Sequence, residues 1–410
     1  MFEQKKLHLH ITNTLMTQPI TSEFIKKHQN DDVRKLALQA TKFPDVDFVF
    51  VLRQIAGKQI AAVKIPSWSE RDDILYPAHL SLEQCSSEIT ARYKATLFRG
   101  KKLVDLTGGF GVDCAFVANG FEEVVYVEQN SELCEIAQSN FHSLSLHHIK
   151  VCNETAENYL KEISSADCIF LDPARRNKHG QKTVLISDCE PNVEILQELL
   201  LKKAKSVWIK FSPMLDISLA VSQLPHTKDV YVVAVDNECK ELLFRMEMSA
   251  EPKNEPTIHC VNLKKNGSTE YFTFIKREEN TSECVFADSL HNYLYEPNAA
   301  ILKAGAHRCL MQYYDVFKLH INSHLYTSDT YISDFPGRIF CIKDSFSLNK
   351  KESRQSLLGL TQANISVRNF PLSVDELRKK MGLKDGGEIY LFATTLKNDD
   401  KKVLIKCEKV

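Results

Sequence analysis

The sequence predicts an α/β protein with a doubly wound parallel sheet in the middle of the chain. From Lys101 to Met246, strand-like apolar runs alternate with helix-like segments, the pattern of a parallel sheet covered by helices. The last two runs, Val230–Val235 and Leu242–Met246, are too close in sequence for a crossover between parallel strands, so we expect an antiparallel hairpin. Helical periodicity before this region and polar–apolar alternation after it predict an N-terminal helical region and a small C-terminal α+β module.

The composition is that of a globular protein. The 410 residues suffice for two or three domains, with ordinary apolar and charged contents of 43% and 26%. Apolar runs of strand length predict no transmembrane helix, and the N-terminus lacks the apolar core of a signal peptide. Twelve cysteines with no Cys-x-x-Cys pair and no zinc-type Cys/His spacing predict reduced thiols and no metal site. We therefore expect a cytoplasmic protein that has no contact with membranes.

Residues 1–95 are predicted to be mainly helical. Apolar residues recur at helical spacing after Ile20, with Pro44 as a breaker. The segments around Trp68 and Ile74–Pro77 have the composition of connections. They lead to Ser81–Phe98, whose pattern predicts one amphipathic helix before the first strand of the sheet.

The strands of the central sheet are predicted from their apolar runs and the breakers between them. They are Leu103–Leu106, Val124–Glu128, Ile149–Asn153, Cys168–Asp172, Val207–Phe211, Val230–Val235 and Leu242–Met246. Chemistry in such a sheet takes place at the carboxyl ends of the strands. The residues that follow the first, second and fourth strands are therefore the first candidates for a site.

A glycine-rich turn follows the first strand. Asp105 stands near the end of that strand, and Gly108, Gly109 and Gly111 come directly after it. Glycine allows turn conformations closed to other residues and lets the backbone approach a ligand without a Cβ atom in the way. Glu128 ends the second strand about 17 residues further on, the spacing at which a carboxylate takes the ribose hydroxyls of a nucleotide. The pattern predicts a nucleotide-containing cofactor, with an ordinary tight turn as the alternative.

The turn D-L-T-G-G-F-G resembles motif I of class I S-adenosylmethionine (SAM) methyltransferases, and it departs from the G-x-G-x-x-G of dinucleotide-binding proteins. In that family the loop passes under the methionine part of SAM, and the acid that ends the second strand holds the ribose. The resemblance implies that Asp105, Thr107 and the three glycines contact SAM, and that Glu128 binds its ribose.

Two further groups are expected to contact the cofactor. Gln84, Ser87 and Thr90 belong to a polar cluster that is too dense to be a solvated helix face alone. The segment before motif I closes over the methionine of SAM in many class I enzymes, which implies the same for these side chains. A plain amphipathic helix is the alternative. Thr155 and Ala156, just after the third strand, complete the expected cofactor contacts.

The fourth strand ends in D-P-A-R, which resembles the [D/N]-P-P-[Y/F] loop of amino-methylating enzymes. In that family the acid or amide and a backbone carbonyl accept hydrogen bonds from an exocyclic amine and aim its lone pair at the SAM methyl group. The resemblance implies that Asp172 and the Pro173 carbonyl orient the acceptor nitrogen, while Arg175 contacts phosphate or base. Ala174 and Arg175 replace the second proline and the aromatic residue of that pattern. A helix-capping role for Asp172 is the structural alternative.

The same loop is also similar to the D-P-P-R of RNA uracil-C5 methyltransferases. Those enzymes need a nucleophilic cysteine in a loop after the fifth strand, and Lys210–Asp216 contains none. Cys189 and Cys239 have acidic neighbours in sequence, which disfavour a thiolate, so we expect both thiols to be buried and inert. N-methylation is therefore favoured over C5-methylation.

The C-terminal region differs in composition from the rest of the chain. Glu251–Pro256 is predicted to be a linker, Asn266-Gly267 a hairpin turn, and a helix is predicted near Val374–Met381. From Arg338 to Val410 the chain has 15 Lys and Arg against 9 Asp and Glu, a net charge of +6, while residues 1–337 carry −7. Such asymmetry suggests an anionic partner for the basic part, with a solvated lysine-rich surface as the alternative.

The motifs together resemble the Bacteroidetes-type class I SAM methyltransferases with a THUMP-like C-terminal domain. They include L-E-Q-C-S-S-E-I-T-A-R-Y-K-A, D-P-A-R-R, D-C-E-P, K-F-S-P-M-L-D, N-E-C-K-E-L, Y-E-P-N-A-A-I-L-K-A-G, F-P-G-R and I-S-V-R-N-F-P, from about Leu75 onward. The resemblance implies a Rossmann-like seven-stranded class I methyltransferase sheet with an N-terminal helical region and a small C-terminal α+β (ferredoxin-like/THUMP-like) module.

The expected domains follow from this resemblance. They are an N-terminal helical region at 1–95, a SAM-dependent methyltransferase domain at 96–250, a linker and ferredoxin-like segment at 251–325, and a THUMP-like RNA-binding domain at 326–410. THUMP domains deliver RNA to modifying enzymes, so tRNA or rRNA is the expected partner of the basic C-terminal domain. Two alternatives stay open: methylation of a small molecule or protein, and a non-catalytic RNA-binding protein that retains SAM as structure.

Overall fold

The protein consists of two compact units. The computed structural model describes residues 19–175, 185–248 and 255–410. The first unit extends to Lys228 and includes Leu243–Lys253, and the second consists of Asp229–Leu242 and Asn254–Val410. Within the described residues, no helix has the length and apolar character needed to span a membrane.

Helices precede the first strand, as the sequence predicts. Those in the described part are α1 Pro19–His28, α2 Val33–Ala37, α3 Phe48–Lys64, α4 Pro66–Ser69, α5 His79–Gln84 and α6 Glu88–Leu97. The segments expected to be mere connections are part of the core, because Trp68 and Tyr76 are each only 2% exposed. Trp68 packs edge-on against Phe110 of the glycine-rich turn, with ring centroids 5.2 Å apart. The short helix α4 therefore packs against this turn.

The single helix expected over Ser81–Phe98 is wrong. The chain forms two helices there, α5 and α6, because Cys85 and Ser87 have extended backbone with ψ of 161° and 156°. Helical periodicity continues across the break, so the pattern of apolar residues does not reveal it. The break directs Ser86 into the protein, where it is 6% exposed.

The large sheet contains the predicted strands. These are β1 Lys102–Asp105, β2 Glu123–Glu128, β3 Ile149–Asn153, β4 Ala166–Leu171, β7 Ala204–Phe211, β8 Thr227–Val235, β9 Glu238–Met246, β10 Thr257–Leu263 and β11 Thr269–Ile275. Their order is β11-β10-β8-β9-β7-β4-β1-β2-β3. β1 is parallel to both neighbours, with Val104 opposite Val125 and Ile169. Two further short strands, β5 Ala174–Arg175 and β6 Cys189–Glu190, form a separate antiparallel pair.

The predicted hairpin at the end of the seven-stranded part is confirmed. Asp236 and Asn237 alone connect β8 to β9, and both have positive φ, 46° and 67°. Positive φ at both central residues belongs to the tight turn that joins antiparallel strands. The predicted pair around Asn266-Gly267 also forms, as β10 and β11, and β10 runs parallel to β8. This pair extends the expected seven strands to nine.

Helices follow the parallel strands, and apolar side chains fill the interior. The helices are α7 Val112–Ala118, α8 Ser131–Ser143, α9 Ala156–Glu162, α10 Val193–Lys203 and α11 Ile217–Gln223. Val104, Val124, Ile169 and Ile209 on neighbouring strands are fully buried. Continuous apolar runs of this kind belong to strands covered on both faces.

A second sheet forms most of the C-terminal half. Its strands are β12 Tyr293–Pro297, β13 Phe317–Lys318, β14 Tyr326–Ser328, β15 Gly337–Phe346, β16 Asn364–Arg368, β17 Ile389–Thr395 and β18 Lys402–Lys409, in the order β13-β14-β12-β15-β18-β17-β16. The helices are α12 Lys276–Thr281, α13 Ala299–Ala304, α14 Leu310–Tyr313, α15 Lys350–Ser356 and α16 Val374–Met381. At the β12–β15 pairing, a Cβ atom on Gly337 would lie 2.2 Å from the carbonyl oxygen of Glu296, so only glycine fits there. The expected linker at 251–256 falls mostly outside the described residues.

The polar motifs N-E-C-K-E-L and Y-E-P-N build a structural network. The side-chain oxygen of Asn237 accepts a hydrogen bond from the N–H of Ala299 at 2.7 Å. Asn262, which is fully buried, accepts one from the N–H of Asn237 at 2.9 Å. Asn262 and Asn298 each donate to one carboxylate oxygen of Glu270. These bonds tie the β8–β9 turn to the start of α13 and give Asn237 and Asn298 a structural role.

Candidate active site

The glycine-rich turn has two positions that only glycine adopts easily. Gly109 and Gly111 have φ of 55° and 84°, in the left-handed region. At Gly108 a Cβ atom would lie 2.1 Å from the ring of Tyr126, so this glycine makes room for a neighbouring side chain. At Gly109 a Cβ atom would meet nothing closer than the Thr107 carbonyl oxygen at 3.9 Å, so the outer side of the turn is open.

Glu128 lies at the end of β2 and is held against this turn. One carboxylate oxygen accepts a hydrogen bond from the N–H of Gly109 at 2.9 Å, and the other from the N–H of Asn130 at 2.8 Å. Tyr126 donates from its hydroxyl to the carbonyl of Gly109. Each carboxylate oxygen has more than one acceptor position, so Glu128 is fixed in place and can still accept hydrogen bonds from a ligand.

The end of β4 lies beside the end of β1. The N–H of Asp172 donates to the hydroxyl oxygen of Thr107 at 2.6 Å, and the N–H of Leu106 donates to the carbonyl of Phe170 at 2.9 Å. The side chain of Asp172 is 37% exposed, which leaves it accessible to a ligand. Arg175 has its backbone in β5, but its side chain lies outside the described residues.

Asp172 belongs to a cluster of charged groups. Lys210, near the end of β7, has its Nζ 2.6 Å from Asp172 Oδ2 and 3.2 Å from Asp113 Oδ2. On the other side of Asp113, the Nζ of Lys94 lies 3.1 Å from Oδ1. Ser86 connects the members of the cluster: it accepts hydrogen bonds from both lysines and donates to Asp113 at 2.7 Å.

The two inner carboxyl groups have opposite electrostatic environments. Burial disfavours the charged form of Asp113, but the adjacent ammonium groups of Lys94 and Lys210 outweigh burial and hold its pKa below the ordinary value. Asp105 is 1% exposed and accepts one hydrogen bond, from the N–H of Thr107 at 3.1 Å. Its burial, with added repulsion from the other carboxylates, raises its pKa well above the ordinary value. Asp113 is therefore a fixed anion, whereas charge on Asp105 is disfavoured.

The sequence-predicted site residues separate into two groups in the structure. Asp105, Thr107, the three glycines, Glu128 and Asp172 are joined by the contacts described above. Ser87 and Thr90 hydrogen-bond to each other at the start of α6, and Gln84 is exposed at the end of α5. Thr155 is the N-cap of α9, accepting from the N–H of Asn158 at 3.3 Å, and Ala156 is buried.

Ser86, Asp113 and Lys210 were missed as site residues, and Lys94 was noted only for its polarity. Ser86 and Lys94 are 8 residues apart, but Asp113 lies 27 residues from Ser86, and Lys210 lies 97 and 124 residues from Asp113 and Ser86, so no local pattern groups the four. A signal is nevertheless present at Lys210, because it interrupts an otherwise apolar run, V-W-I-K-F, and is only 7% exposed. A lysine inside a buried strand needs an anionic partner, so its presence indicates that a carboxylate lies nearby in the fold.

The thiols considered as nucleophiles have unfavourable surroundings for reaction. Burial raises the pKa of Cys239 to about 11, and Cys189 is 8% exposed with its Sγ near the Leu185 carbonyl. Burial also raises the pKa of Cys85, next to Ser86, to about 11. A thiol must ionise to act as a nucleophile, so neither Cys85 nor Cys239 is activated. Among the described residues, no three His, Cys, Asp or Glu side chains are arranged to hold a metal ion.

Two family models match the C-terminal half of the chain. Residues 293–336 match a ferredoxin-like domain, and residues 337–409 match a THUMP domain-like family. No curated protein sequence matches the chain significantly.

Solved structures extend the comparison to the whole chain. A candidate methyltransferase from Porphyromonas gingivalis is 35% identical, and its crystal structure aligns over 95% of this chain and 98% of that one with a TM-score of 0.84. The C-terminal domain of precorrin-6Y C5,15-methyltransferase from Rhodobacter capsulatus aligns over 40% of this chain and 91% of that chain, at 15% identity and a TM-score of 0.31. M. capricolum TrmK, solved with S-adenosyl-homocysteine, aligns over 38% and 67% at 14% identity and a TM-score of 0.30.

The two partial alignments are too weak to support an assignment, whereas the Porphyromonas structure matches both the fold and the domain content. Its identity of 35% is spread over nearly the full length of both chains. The chain therefore belongs to the same family as this protein, the Bacteroidetes-type class I methyltransferases with a THUMP-like C-terminal domain.

Proposed function

We propose that the protein is a SAM-dependent methyltransferase that methylates an amino nitrogen of a base in structured RNA, either tRNA or rRNA. The observation that carries the proposal is the position of Asp172. Asp172 and the following Pro173 lie at the end of β4, where the main-chain N–H of Asp172 donates to the hydroxyl of Thr107 in the glycine-rich turn. The proposal is supported because the Asp172 carboxylate, which could accept hydrogen bonds from an amine, lies beside the loop that would carry the cofactor.

The residues around the turn fit SAM. The open side of Gly109 allows close approach to the backbone, and Glu128 offers carboxylate oxygens to two ribose hydroxyls. We assign cofactor contacts to Asp105, Thr107, the three glycines and Glu128. We propose five further cofactor contacts: Gln84, Ser87, Thr90, Thr155 and Ala156.

The proposed chemistry is direct displacement that depends mainly on positioning. SAM, when bound, supplies a methyl group on a positively charged sulfur. Asp172 and the Pro173 carbonyl accept hydrogen bonds from the two N–H bonds of the amine, so that its lone pair faces the methyl group. Pro173 has no N–H and a restricted φ, which keeps this loop stiff. Arg175 is proposed to contact phosphate or base. A base inside a duplex would have to be flipped out first.

RNA is supported as the substrate by the C-terminal half. The THUMP-like match at 337–409 coincides with the part of the chain that carries a net charge of +6. Lys379 and Lys380 are exposed on α16 of this region. Positive charge of this kind supplies the phosphate contacts on which binding to nucleic acid depends.

The decisive experiment compares modified nucleosides from a deletion strain and its parent by mass spectrometry. We expect one N-methylated nucleoside to be missing from tRNA or rRNA and to return with the intact gene but not with Asp172→Ala. If all RNA nucleosides are unchanged, the substrate is a small molecule or a protein. If SAM binds and no methyl transfer to any fraction of a cell extract occurs, the protein is not an enzyme.

A further inference from the structure

We infer that Lys210 is a positioning residue for methyl transfer, because its ammonium group fixes the Asp172 carboxylate in the orientation needed by the acceptor amine. The inference rests on the proposed function. It assigns a role to Lys210, which the proposed function does not include. The contact that motivates it is the ion pair between Lys210 Nζ and Asp172 Oδ2 at 2.6 Å.

The geometry of Lys210 suits orientation. Its Nζ has three acceptors within 3.2 Å: Asp172 Oδ2, Asp113 Oδ2 and the Ser86 hydroxyl. An ammonium group has three N–H bonds, so these acceptors match its full donor capacity. Two of these acceptors are carboxylate oxygens, so the contacts hold the ammonium group beside Asp172.

The carboxylate of Asp172 contributes to the charge balance of the cluster. Lys94 and Lys210 are 0% and 7% exposed, so two positive charges lie in the interior. Asp113 is 8% exposed and supplies one negative charge between them. An uncompensated buried charge is costly, and the carboxylate of Asp172 is the second anion in contact with the cluster. The buried ammonium group of Lys210 thus holds the Asp172 carboxylate in place.

The orientation leaves one side of Asp172 for a ligand. Lys210 contacts Oδ2, while Oδ1 has no hydrogen-bond partner among the described residues. The main chain of Asp172 is also fixed, because its N–H is bonded to Thr107 at 2.6 Å. Both the backbone and one carboxylate oxygen are therefore set before an acceptor arrives, and the second oxygen is left to accept from its amine. A misplacement of about 1 Å at such a group costs on the order of a hundredfold in rate.

The test is a double-mutant cycle measured with tritium-labelled SAM and total RNA from a deletion strain. Lys210→Met keeps the length of the side chain and leaves Asp113 paired with Lys94. We expect its kcat to fall by roughly a hundredfold while the Kd for SAM, measured by calorimetry, is unchanged. The matched control is Lys205→Met, on the same strand, which breaks an equally short 2.6 Å pair with Asp167 at the opposite end of β7. The control should retain wild-type kcat.

The cycle with Asp172→Asn separates positioning from general support of the fold. If Lys210 acts through Asp172, the double variant Lys210→Met/Asp172→Asn is no slower than the slower single variant. Losses that multiply, or full activity of Lys210→Met, would overturn the inference. If Lys210→Met has no melting transition, Lys210→Arg takes its place in the cycle, with the same expected non-additivity. A wild-type protein that methylates no RNA refutes the proposed function itself, and this role with it.

Discussion

Replacing Glu128 by alanine tests the cofactor site most directly. The carboxylate ends β2 and is held by the N–H groups of Gly109 and Asn130 at 2.9 and 2.8 Å. We propose that each of its oxygens accepts from one ribose hydroxyl, in which case Glu128→Ala removes two charge-assisted hydrogen bonds to the bound cofactor. The two N–H groups lie at a partly exposed position, where water replaces the missing acceptor at little cost.

The size of the effect follows from these contacts. A hydrogen bond to a charged group contributes about 1.5–3 kcal/mol, and we count the pair at about 2–3 kcal/mol because water competes for exposed hydroxyls. This corresponds to roughly 30- to 150-fold in Kd for SAM. Glu128→Gln retains one oxygen acceptor and should lose less. Glu123→Ala is the matched control, since Glu123 begins the same strand and forms an exposed pair with Lys102 at 2.8 Å.

Isothermal calorimetry with SAM and with NAD measures both affinity and selectivity. We expect SAM to bind the wild type and Glu123→Ala alike, Glu128→Ala to bind it weakly, and NAD to give no detectable heat. An unchanged Kd in Glu128→Ala would refute the ribose contact. Binding of NAD in place of SAM would refute the assignment of the turn to a methyltransferase cofactor.

Three further predictions address acceptor, partner and pH. Asp172→Asn should retain part of the activity and Asp172→Ala should lose about a hundredfold or more in kcat, as when a transition-state hydrogen bond is removed; equal activity in both would contradict the role. Reversing Lys379 and Lys380 to glutamate should reduce the salt dependence of RNA binding, by about one unit of log–log slope for each phosphate that the protein no longer neutralises. An unchanged slope would place the RNA elsewhere. Burial, reinforced by neighbouring positive charge, lowers the pKa of His307 to about 3 and of His324 to about 4, so the unfolded chain binds more protons below about pH 6.5. The free energy of unfolding should therefore fall as pH falls from 6.5 towards 4; chemical denaturation showing the reverse would contradict the buried neutral histidines.

Sequence patterns predict the helices, strands and turns whose structure depends on residues close together in the chain. The helix predicted near Val374–Met381 forms at these residues, and a capping box between Ser373 and Glu376 closes its first turn. The end of β2 at Glu128 and the hairpin after β8 follow in the same way, from an apolar run and from a connection too short for a crossover. In these cases the residues that determine the structure are neighbours in sequence.

Contacts between distant segments decide the rest. Lys210 meets Asp113 and Ser86 across 97 and 124 residues, so neither periodicity nor spacing brings them together before the fold is known. The break before α6 involves the same contacts. Ser86 lies in this non-helical segment, and its hydroxyl hydrogen-bonds to the buried side chains of Asp113 and Lys94. Sequence reasoning proposed Asp172 as a site residue and did not anticipate its ion pair with Lys210.

The pairing of β12 with β15 limits where the chain can be cut into separately expressed fragments. The ferredoxin-like match ends at residue 336 and the THUMP-like match begins at 337, yet the strands on either side of this boundary pair within one sheet. Phe340 on β15 packs with Leu294 on β12 in one apolar cluster. A cut at this boundary would expose that cluster and leave an unpaired strand edge on each fragment, which favours aggregation. The two matched regions therefore fold as one unit and should be expressed together, although two separate family models match them.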